Sequence, residues 1–557
     1  MVNYMLKKVV TVLLLTLLLL AVSWPLFSTQ LFRVHDYVHA ARIAELLRGL
    51  QDGQFPVIWS QNFGYGYGMP LFEFYAPLPF YVGAFSYWLG FGLSRSVQII
   101  FLVANIGSVV GAYYLGRKWY GRWGGLVTSA VFTFAPYRAV NLYVRGAVGE
   151  AWGMMALPWI LYFTSLVLEG KKKAWFGLVL SLTVLFLSHN LTTMMFVPLS
   201  GVFILAVWAL NKKRKALSLA YVAACYALAA GLSAFYVLPA FLEKHLTQID
   251  QILGGYFWYG QHFLYIRQFF QDNWGYGGSV WGPQDDISFF LGYGQIFGIC
   301  MVVGLLFLSL IGSKKIKRAH FLPILSIGLW VGALFFSLGK SQFVWDTLPF
   351  LSYIQFPWRF LGVAAVFMAL AIGSLAVLLS GVQKYVVIIL VLFLLTLNAR
   401  YFRPESFLGK NDDFYYSDAK KIQSNMSSIL PDYIPRDMLL TEPPTGLLYQ
   451  PESLEYEIVV ERSQEKLISL ELAQDQVVTF AVAHYPNWAA EINGVATSVS
   501  QSEQGLVSVL VPAGKHRVGV FLTPSPLRRV AQGISFASFV LLLFLLLPQK
   551  IVLPNHD

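Results

Sequence analysis

KKVVTVLLLTLLLLAVSWPLF, residues 7–27, decides the class of fold. Two lysines precede about 19 apolar positions, enough helix to cross the roughly 30 Å hydrocarbon layer of a bilayer. The apolar core of a cleavable leader is shorter, and Ala21-Val22-Ser23 only weakly resembles a cleavage site. The segment therefore reads as an uncleaved first membrane helix with its lysines on the cytoplasmic side. The rest of the chain repeats the theme. Of 557 residues, 57% are hydrophobic and 12% charged, about half the charge of an average soluble domain. Twelve to thirteen hydrophobic segments follow, at 9–27, 76–93, 97–116, 123–138, 149–168, 174–188, 191–209, 216–238, 289–311, 320–339, 359–379, 384–399 and 529–548. The fold class is mainly α, a polytopic transmembrane helical bundle.

The net charge of +11 has a location that explains it. Lys7–Lys8, Arg117–Lys118, Lys171–Lys173, Lys212–Lys215 and Lys314–Arg318 all lie between apolar segments, the pattern of cytoplasmic loops. No nucleic-acid partner is expected. Cys225 and Cys300 sit in apolar segments, the nine histidines show no HExxH spacing, and no metal ligands are assigned. The lysines place 28–75, 139–149, 188–190, 239–288, 340–358 and 400–527 outside. One conflict of parity arises. If 76–93 and 97–116 both cross, every later loop inverts, so 76–116 is expected to cross an odd number of times, with 76–93 re-entrant or interfacial.

Three organisational units follow: a membrane domain over 1–399, an extracytoplasmic segment over 400–527, and a last helix with a short tail over 528–557. Within the first external loop, 28–75, DYVHAARIAELLRGL at 36–50 fits an amphipathic helix, with Val38, Ile43, Leu46, Leu47 and Leu50 for an apolar face. From about 453 onward, LEYEIVVE, KLISLEL, QVVTFAVAHY, VSVLVPAG and HRVGVFLT alternate like strands, which predicts a small β-sandwich. The stretch 404–450 reads as an irregular polar linker packed on the membrane domain.

The ionisable groups of interest gather in the loops expected outside. Asp36 lies between His35 and His39 just beyond the first span; an N-cap in a wet loop is the bland alternative to a reactive acid. Glu150 begins a span, where the helix dipole already favours an acid. Arg145 and Arg359 stand at the outer ends of spans; each is an interfacial anchor or, by the bidentate geometry of a guanidinium, a phosphate ligand. His189–Asn190 breaks two apolar runs, as a polar turn or a site. Glu243 opens the loop 239–288, whose aromatic residues suit both headgroups and sugars. Few charges lie in mid-span, and neither repeated halves nor broken helices, the marks of many transporters, are evident.

Taken in order, Val34-His35-Asp36-Tyr37-Val38-His39, Gly64-Tyr65-Gly66-Tyr67-Gly68-Met69-Pro70, Phe74-Tyr75-Ala76-Pro77-Leu78-Pro79, Tyr143-Val144-Arg145-Gly146-Ala147-Val148-Gly149-Glu150, Leu187-Ser188-His189-Asn190 and Gln355-Phe356-Pro357-Trp358-Arg359-Phe360 resemble the bacterial and archaeal 6-pyruvoyl-tetrahydropterin synthase-related membrane proteins. His484-Tyr485-Pro486-Asn487-Trp488 and Val511-Pro512-Ala513-Gly514-Lys515-His516 are similar to the tail of YfhO-like proteins. The soluble fold and zinc-binding histidine cluster that a pterin synthase needs are not visible in this sequence. The wider resemblance is to the GT-C glycosyltransferases, which place an acid in the first external loop.

That resemblance implies an integral membrane enzyme of the inverting type, moving a sugar from a polyprenyl-phosphate-linked donor to an envelope glycan, lipid or protein acceptor at the outer face of the cytoplasmic membrane. It implies Asp36 and Glu150 as catalytic, Asp36 as general base or as the group that orients the acceptor hydroxyl, and Arg145 and Arg359 on the leaving phosphate. His35, His39, His189 and Glu243 complete the expected substrate contacts. A divalent cation is the cofactor the resemblance admits, yet a lone Asp stands where the family's acidic pair would be. The alternative is a non-enzymatic protein for transport or assembly of lipid-linked envelope polysaccharide.

Overall fold

The computed structural model describes residues 2–171, 173–211, 216–313, 318–409, 413–429 and 431–547. Among these, nine helices are long and apolar enough to cross a membrane, or ten if a bent pair counts as one span. The basic runs 212–215 and 314–317 lie outside the described residues.

The parity conflict resolves in the backbone. The segment around 76–93 contains the helix Leu78–Trp88, of 11 residues. At about 1.5 Å per residue it spans roughly 16 Å, about half the hydrocarbon thickness. It packs beside His39–Gln51 rather than crossing: a Cβ on Gly83 would meet Ile43 Cδ1 at 2.6 Å.

The next helix is continuous by hydrogen bonding from Leu93 to Thr133, yet it holds Gly121 at φ 73°. Ser129 Oγ donates to the Val109 carbonyl at 2.8 Å. In a straight helix residues so far apart would be about 30 Å from one another. The chain therefore doubles back at Gly121, giving two antiparallel legs that match the expected segments 97–116 and 123–138. Arg117, Lys118 and Arg122 stand around its tip.

Side-chain contacts gather the described basic tip around Lys118 and Arg122 and the neighbouring helix ends on one face. Lys118 pairs with Glu169 at 2.5 Å, Arg122 donates to Thr11 Oγ1 at 2.7 Å, and Asn211 donates to the Leu168 carbonyl at 2.8 Å. The tip of the hairpin, the N-terminal helix and the ends of Val148–Leu168 and Asn190–Leu210 thus share a side. The polar loops and the strands lie at the other ends of these helices.

The expectation of unbroken helices is corrected at one place. Ala216–Leu232 and Ala234–Leu242 meet at a bend of 76°. Pro239 lies inside the second helix, where it lacks a backbone N–H to donate.

The C-terminal segment forms two antiparallel sheets. The first has order β1-β4-β8-β7, from Leu448–Gln450 (β1), Gln476–Ala483 (β4), Ser500–Gln501 (β7) and Leu506–Val511 (β8). The second has order β2-β3-β9-β5-β6, from Tyr456–Arg462 (β2), Glu465–Leu472 (β3), Trp488–Ile492 (β5), Val495–Thr497 (β6) and Gly514–Leu522 (β9). β2, β3, β4, β8 and β9 stand where alternation placed strands. Ile468, Leu470, Val478, Phe480, Val509, Val518 and Val520 are buried, each contributing roughly 1.5–3 kcal/mol.

The sheets dock on the first long loop. Ala483 N–H donates to the Tyr67 carbonyl at 2.8 Å, Ser463 N–H to Asp52 Oδ2 at 2.7 Å, and Trp59 meets Trp488 edge-on at 5.4 Å. The stretch expected as a linker forms short helical turns, among them Asp413–Ser417 and Pro431–Tyr433. Asp413 caps the N-terminus of the long hairpin, accepting from Leu93 N–H at 2.8 Å and Ser94 N–H at 3.2 Å.

Candidate active site

The face opposite the basic loops holds a cavity of about 950 Å³. One wall is apolar, built by Leu191, Met194 and Val197 of Asn190–Leu210 and by Val237 and Phe241 beyond the bend. Phe241 is 66% exposed, so this wall runs out onto the outer surface of the bundle. At the other end stand His35, Asp36, Arg145, Glu150, His189 and Arg359, with Asp432 and Tyr433.

Backbone pairing sets Asp36 beside Arg145. His35 N–H donates to the Val144 carbonyl and Asp36 N–H to the Arg145 carbonyl, both at 3.0 Å. Arg145 ends a π-helical turn, Val140–Arg145, closed by Gly146 at φ 67°. A Cβ on Gly146 would lie 2.6 Å from Val34 Cγ2, so both the left-handed backbone and the close approach require glycine.

Asp36 is held from behind. Its Oδ1 lies 2.9 Å from Arg42 Nη2, and Oδ2 accepts from Arg42 Nη1 at 3.0 Å and from Tyr75 Oη at 3.3 Å. Arg42 is fully buried and stacks 4.3 Å over the Tyr75 ring, whereas the Asp36 side chain keeps 26% exposure. Burial alone would raise the Asp36 carboxyl; the Arg42 guanidinium outweighs it and holds the group below its ordinary value of 3.8.

Glu150 is held by three side chains. Tyr137 Oη donates to Oε1 at 2.6 Å and Asn141 Nδ2 at 3.2 Å, while Arg145 Nη1 donates to Oε2 at 2.6 Å. Arg359 Nε stands 3.9 Å from Oε2, and Glu150 is 1% exposed. The carboxylate thus anchors Arg145 directly, with Arg359 close by, and each of its oxygens already accepts from a neighbouring side chain. Arg145 also stacks 4.7 Å over Trp358. Arg359 donates to the Ile354 carbonyl at 2.9 Å and to Gln355 Oε1 at 3.3 Å; its buried Nε has no hydrogen-bond partner among the described residues.

His189 caps the helix that follows, its Nδ1 accepting from Thr192 N–H at 3.1 Å. That bond leaves the proton on Nε2, and burial pushes the imidazole down to about 3. His35, also on the cavity, has Nε2 at 2.8 Å from the Tyr276 carbonyl.

Two of the expected substrate contacts lie off this cavity. His39 is buried behind the cavity, its Nε2 on the Gly146 carbonyl at 2.5 Å and its Nδ1 accepting from Arg42 at 3.1 Å. Glu243 does not line the cavity. It accepts from Ser525 Oγ at 2.7 Å and lies 4.0 Å from Arg528 Nε; Arg528 also pairs with buried Glu73. The three tie the first loop, the bent helix and the last helix together.

Sequence reasoning missed Asp432 as a cavity group; Lys244, beside Glu243, also lines the cavity. Asp432 sits in the turn Pro431–Tyr433, and the adjoining Tyr433 ring stacks on Phe74 at 6.3 Å. Nothing local in an irregular polar stretch marks it; only the fold brings it to the site. A divalent cation does not suit this set. Asp36 faces Arg42, Glu150 is ringed by Arg145 and Arg359, and among the described residues no three His, Cys, Asp or Glu side chains could hold a metal.

The model of the 6-pyruvoyl-tetrahydropterin synthase related domain, described as a membrane protein, matches residues 72–403. The chain belongs to this family. The matched span takes in Arg145, Glu150, His189, Lys244 and Arg359; His35 and Asp36 precede it, and Asp432 follows it. No curated protein sequence matches the chain. Among solved structures, the chain is similar to the arabinofuranosyltransferase AftD from Mycobacteria, at 13% identity and TM-score 0.44, covering 73% of this chain and 28% of that one. A mutant form of the same enzyme aligns at 14% identity and TM-score 0.41, covering 72% and 28%. The chain thus spans little more than a quarter of the length of either structure.

Proposed function

We propose that this family member is a GT-C-type inverting glycosyltransferase that moves a sugar from a polyprenyl-phosphate donor to an acceptor hydroxyl. The observation that carries the reading is a cavity that joins an apolar wall to a polar end where Arg145, Arg359 and Asp36 converge. A donor of this class has the same two-part chemistry, an isoprenoid chain and an anionic phosphate carrying a sugar. The isoprenoid lies along Leu191, Met194, Val197 and Phe241. The guanidiniums of Arg145 and Arg359 take the phosphate oxygens, and their charge is worth most as the leaving phosphate gains its own.

Asp36 accepts a hydrogen bond from the acceptor hydroxyl and orients it toward the anomeric carbon. Glu150 is a positioning residue for the two arginines. The basic-loop face is cytoplasmic by the positive-inside rule, which puts the cavity and the β-sheets on the extracytoplasmic side of the cytoplasmic membrane. The acceptor is an envelope glycan, lipid or protein.

The test is binding of decaprenyl phosphate to the full chain in lipid nanodiscs, followed by intrinsic tryptophan fluorescence. A hydrogen bond to a charged group contributes roughly 1.5–3 kcal/mol, so Arg359→Gln is expected to weaken binding about 10- to 150-fold. Equal affinity in the two proteins would remove the phosphate site, and the proposal with it.

A further inference from the structure

The cavity holds three carboxylates, and their surroundings differ. Asp36 is paired with Arg42 and Glu150 with Arg145. Asp432 lines the same cavity, is 7% exposed, and has no ion-pair partner among the described residues. It stands within electrostatic reach of Arg42, on a turn whose neighbour Tyr433 meets Tyr75 edge-on at 6.0 Å. Tyr75 in turn donates to Asp36. Asp432 and Asp36 therefore line one cavity and are linked through the Tyr75–Tyr433 contact.

We propose that Asp432 is the catalytic base that takes the proton from the acceptor hydroxyl while Asp36 orients that hydroxyl. The inference rests on the glycosyl-transfer reading. In the step, the acceptor oxygen forms a bond to the anomeric carbon. The bond from that carbon to the phosphate oxygen breaks, its electron pair staying on the phosphate beside Arg145 and Arg359. The hydroxyl proton passes to an Asp432 oxygen and leaves later to solvent.

A base must be ionised at working pH yet basic enough to accept a proton. Burial raises the Asp432 carboxyl to about 6, whereas Arg42 holds Asp36 below the ordinary range. Of the two, Asp432 is the better proton acceptor and Asp36 the better fixed anion.

The experiment uses the full chain in nanodiscs with synthetic decaprenyl-phosphoryl sugars as probes, the released decaprenyl phosphate being measured by chromatography. Wild type, Asp432→Asn, Asp432→Ala and Asp432→Glu are compared, each also for binding of decaprenyl phosphate. Asp432→Asn is expected to bind within about threefold of wild type and to lose about 10²- to 10⁴-fold in kcat. Asp432→Glu should restore part of the rate, and added formate part of that of Asp432→Ala, by replacing the missing carboxylate. Wild-type turnover in Asp432→Asn would overturn the assignment and leave the transfer reading standing. Loss of decaprenyl phosphate binding in Asp432→Asn would also overturn it, making the residue part of the cavity wall. A wild type that neither binds decaprenyl phosphate nor releases it from any probe would overturn the transfer reading, and this inference with it.

Discussion

The pairing of Asp36 with Arg42 makes the simplest test of Asp36, replacing it alone, ambiguous. Asp36→Asn keeps the shape but leaves the buried Arg42 guanidinium, 2.9 Å from Oδ1 and 3.0 Å from Oδ2, without a counter-charge. Removing one partner of a buried pair costs about 3–5 kcal/mol. Arg42→Met is milder, roughly 1–2 kcal/mol, because Asp36 keeps Tyr75 at 3.3 Å and an open side toward the cavity. The double variant Asp36→Asn/Arg42→Met removes both charges and is expected within about 1 kcal/mol of wild type, as neutral replacements of buried pairs often are. The assay is a double-mutant cycle with two readouts: unfolding in detergent by added dodecyl sulfate, and release of decaprenyl phosphate from the probe donors. Stability should recover in the double variant, while kcat should stay at least about 100-fold down, because the acceptor hydroxyl has lost its anionic partner. If turnover recovers together with stability, Asp36 serves only to neutralise Arg42, and its place in the reaction is refuted.

Two further outcomes follow from the buried groups. Burial holds His189 near 3 against an ordinary 6.5, so below pH 6.5 the unfolded chain binds a proton that the folded chain does not. Stability should fall as pH drops from 6.5 toward 3, by about 2–3 kcal/mol at pH 4.5 for this group. His189→Asn keeps a cap for Thr192 N–H and should flatten that slope; unchanged slopes in pH-dependent unfolding would remove the imidazole from the account. Arg528→Met strands Glu73 and Glu243 and should destabilise the protein by about 3–5 kcal/mol, with decaprenyl phosphate affinity of the folded fraction unchanged. A matching loss of affinity would put Glu243 back among the substrate contacts.

The membrane architecture was legible because lipid imposes a simple code: apolar runs of fixed length and lysines on one side. That code is blind to hydrogen-bonded turns, which is why the odd crossing count around 76–116 could be inferred but not explained until the short helix Leu78–Trp88 and the reversal at Gly121 were seen. The strands were read where one face is buried, as in β3. Short strands such as β6 and β7, too brief to alternate, were not. At the site, Asp36, Arg145, Glu150, His189 and Arg359 announced themselves as polar groups at the ends of apolar runs. His39 and Glu243 fitted the same description, yet their partners, Gly146 and Arg528, lie far along the chain. Only tertiary structure distinguishes a cavity-facing imidazole or acid from a buried strut.

Charge within the cavity ties the two proposals together. With Asp36 matched by Arg42 and Glu150 by Arg145, the groups left are Arg359, Lys244 and Asp432. Lys244 stands 3.8 Å over the Tyr353 ring, and both residues line the cavity. A donor phosphodiester brings one negative charge, which with ionised Asp432 balances the two cations. On transfer, Asp432 gains the hydroxyl proton and becomes neutral, while the leaving phosphate, now a monoester, gains the charge that Asp432 gave up. The total is unchanged; the negative charge has moved from Asp432 to the phosphate held by Arg359 and Arg145. Preorganised cations at the place where charge develops stabilise the transition state more than the ground state. The same movement explains why an unpaired acid belongs in the cavity with the arginines. An Asp432 locked to a guanidinium, as Asp36 is, would be the poorer proton acceptor, because the cation stabilises its charged form.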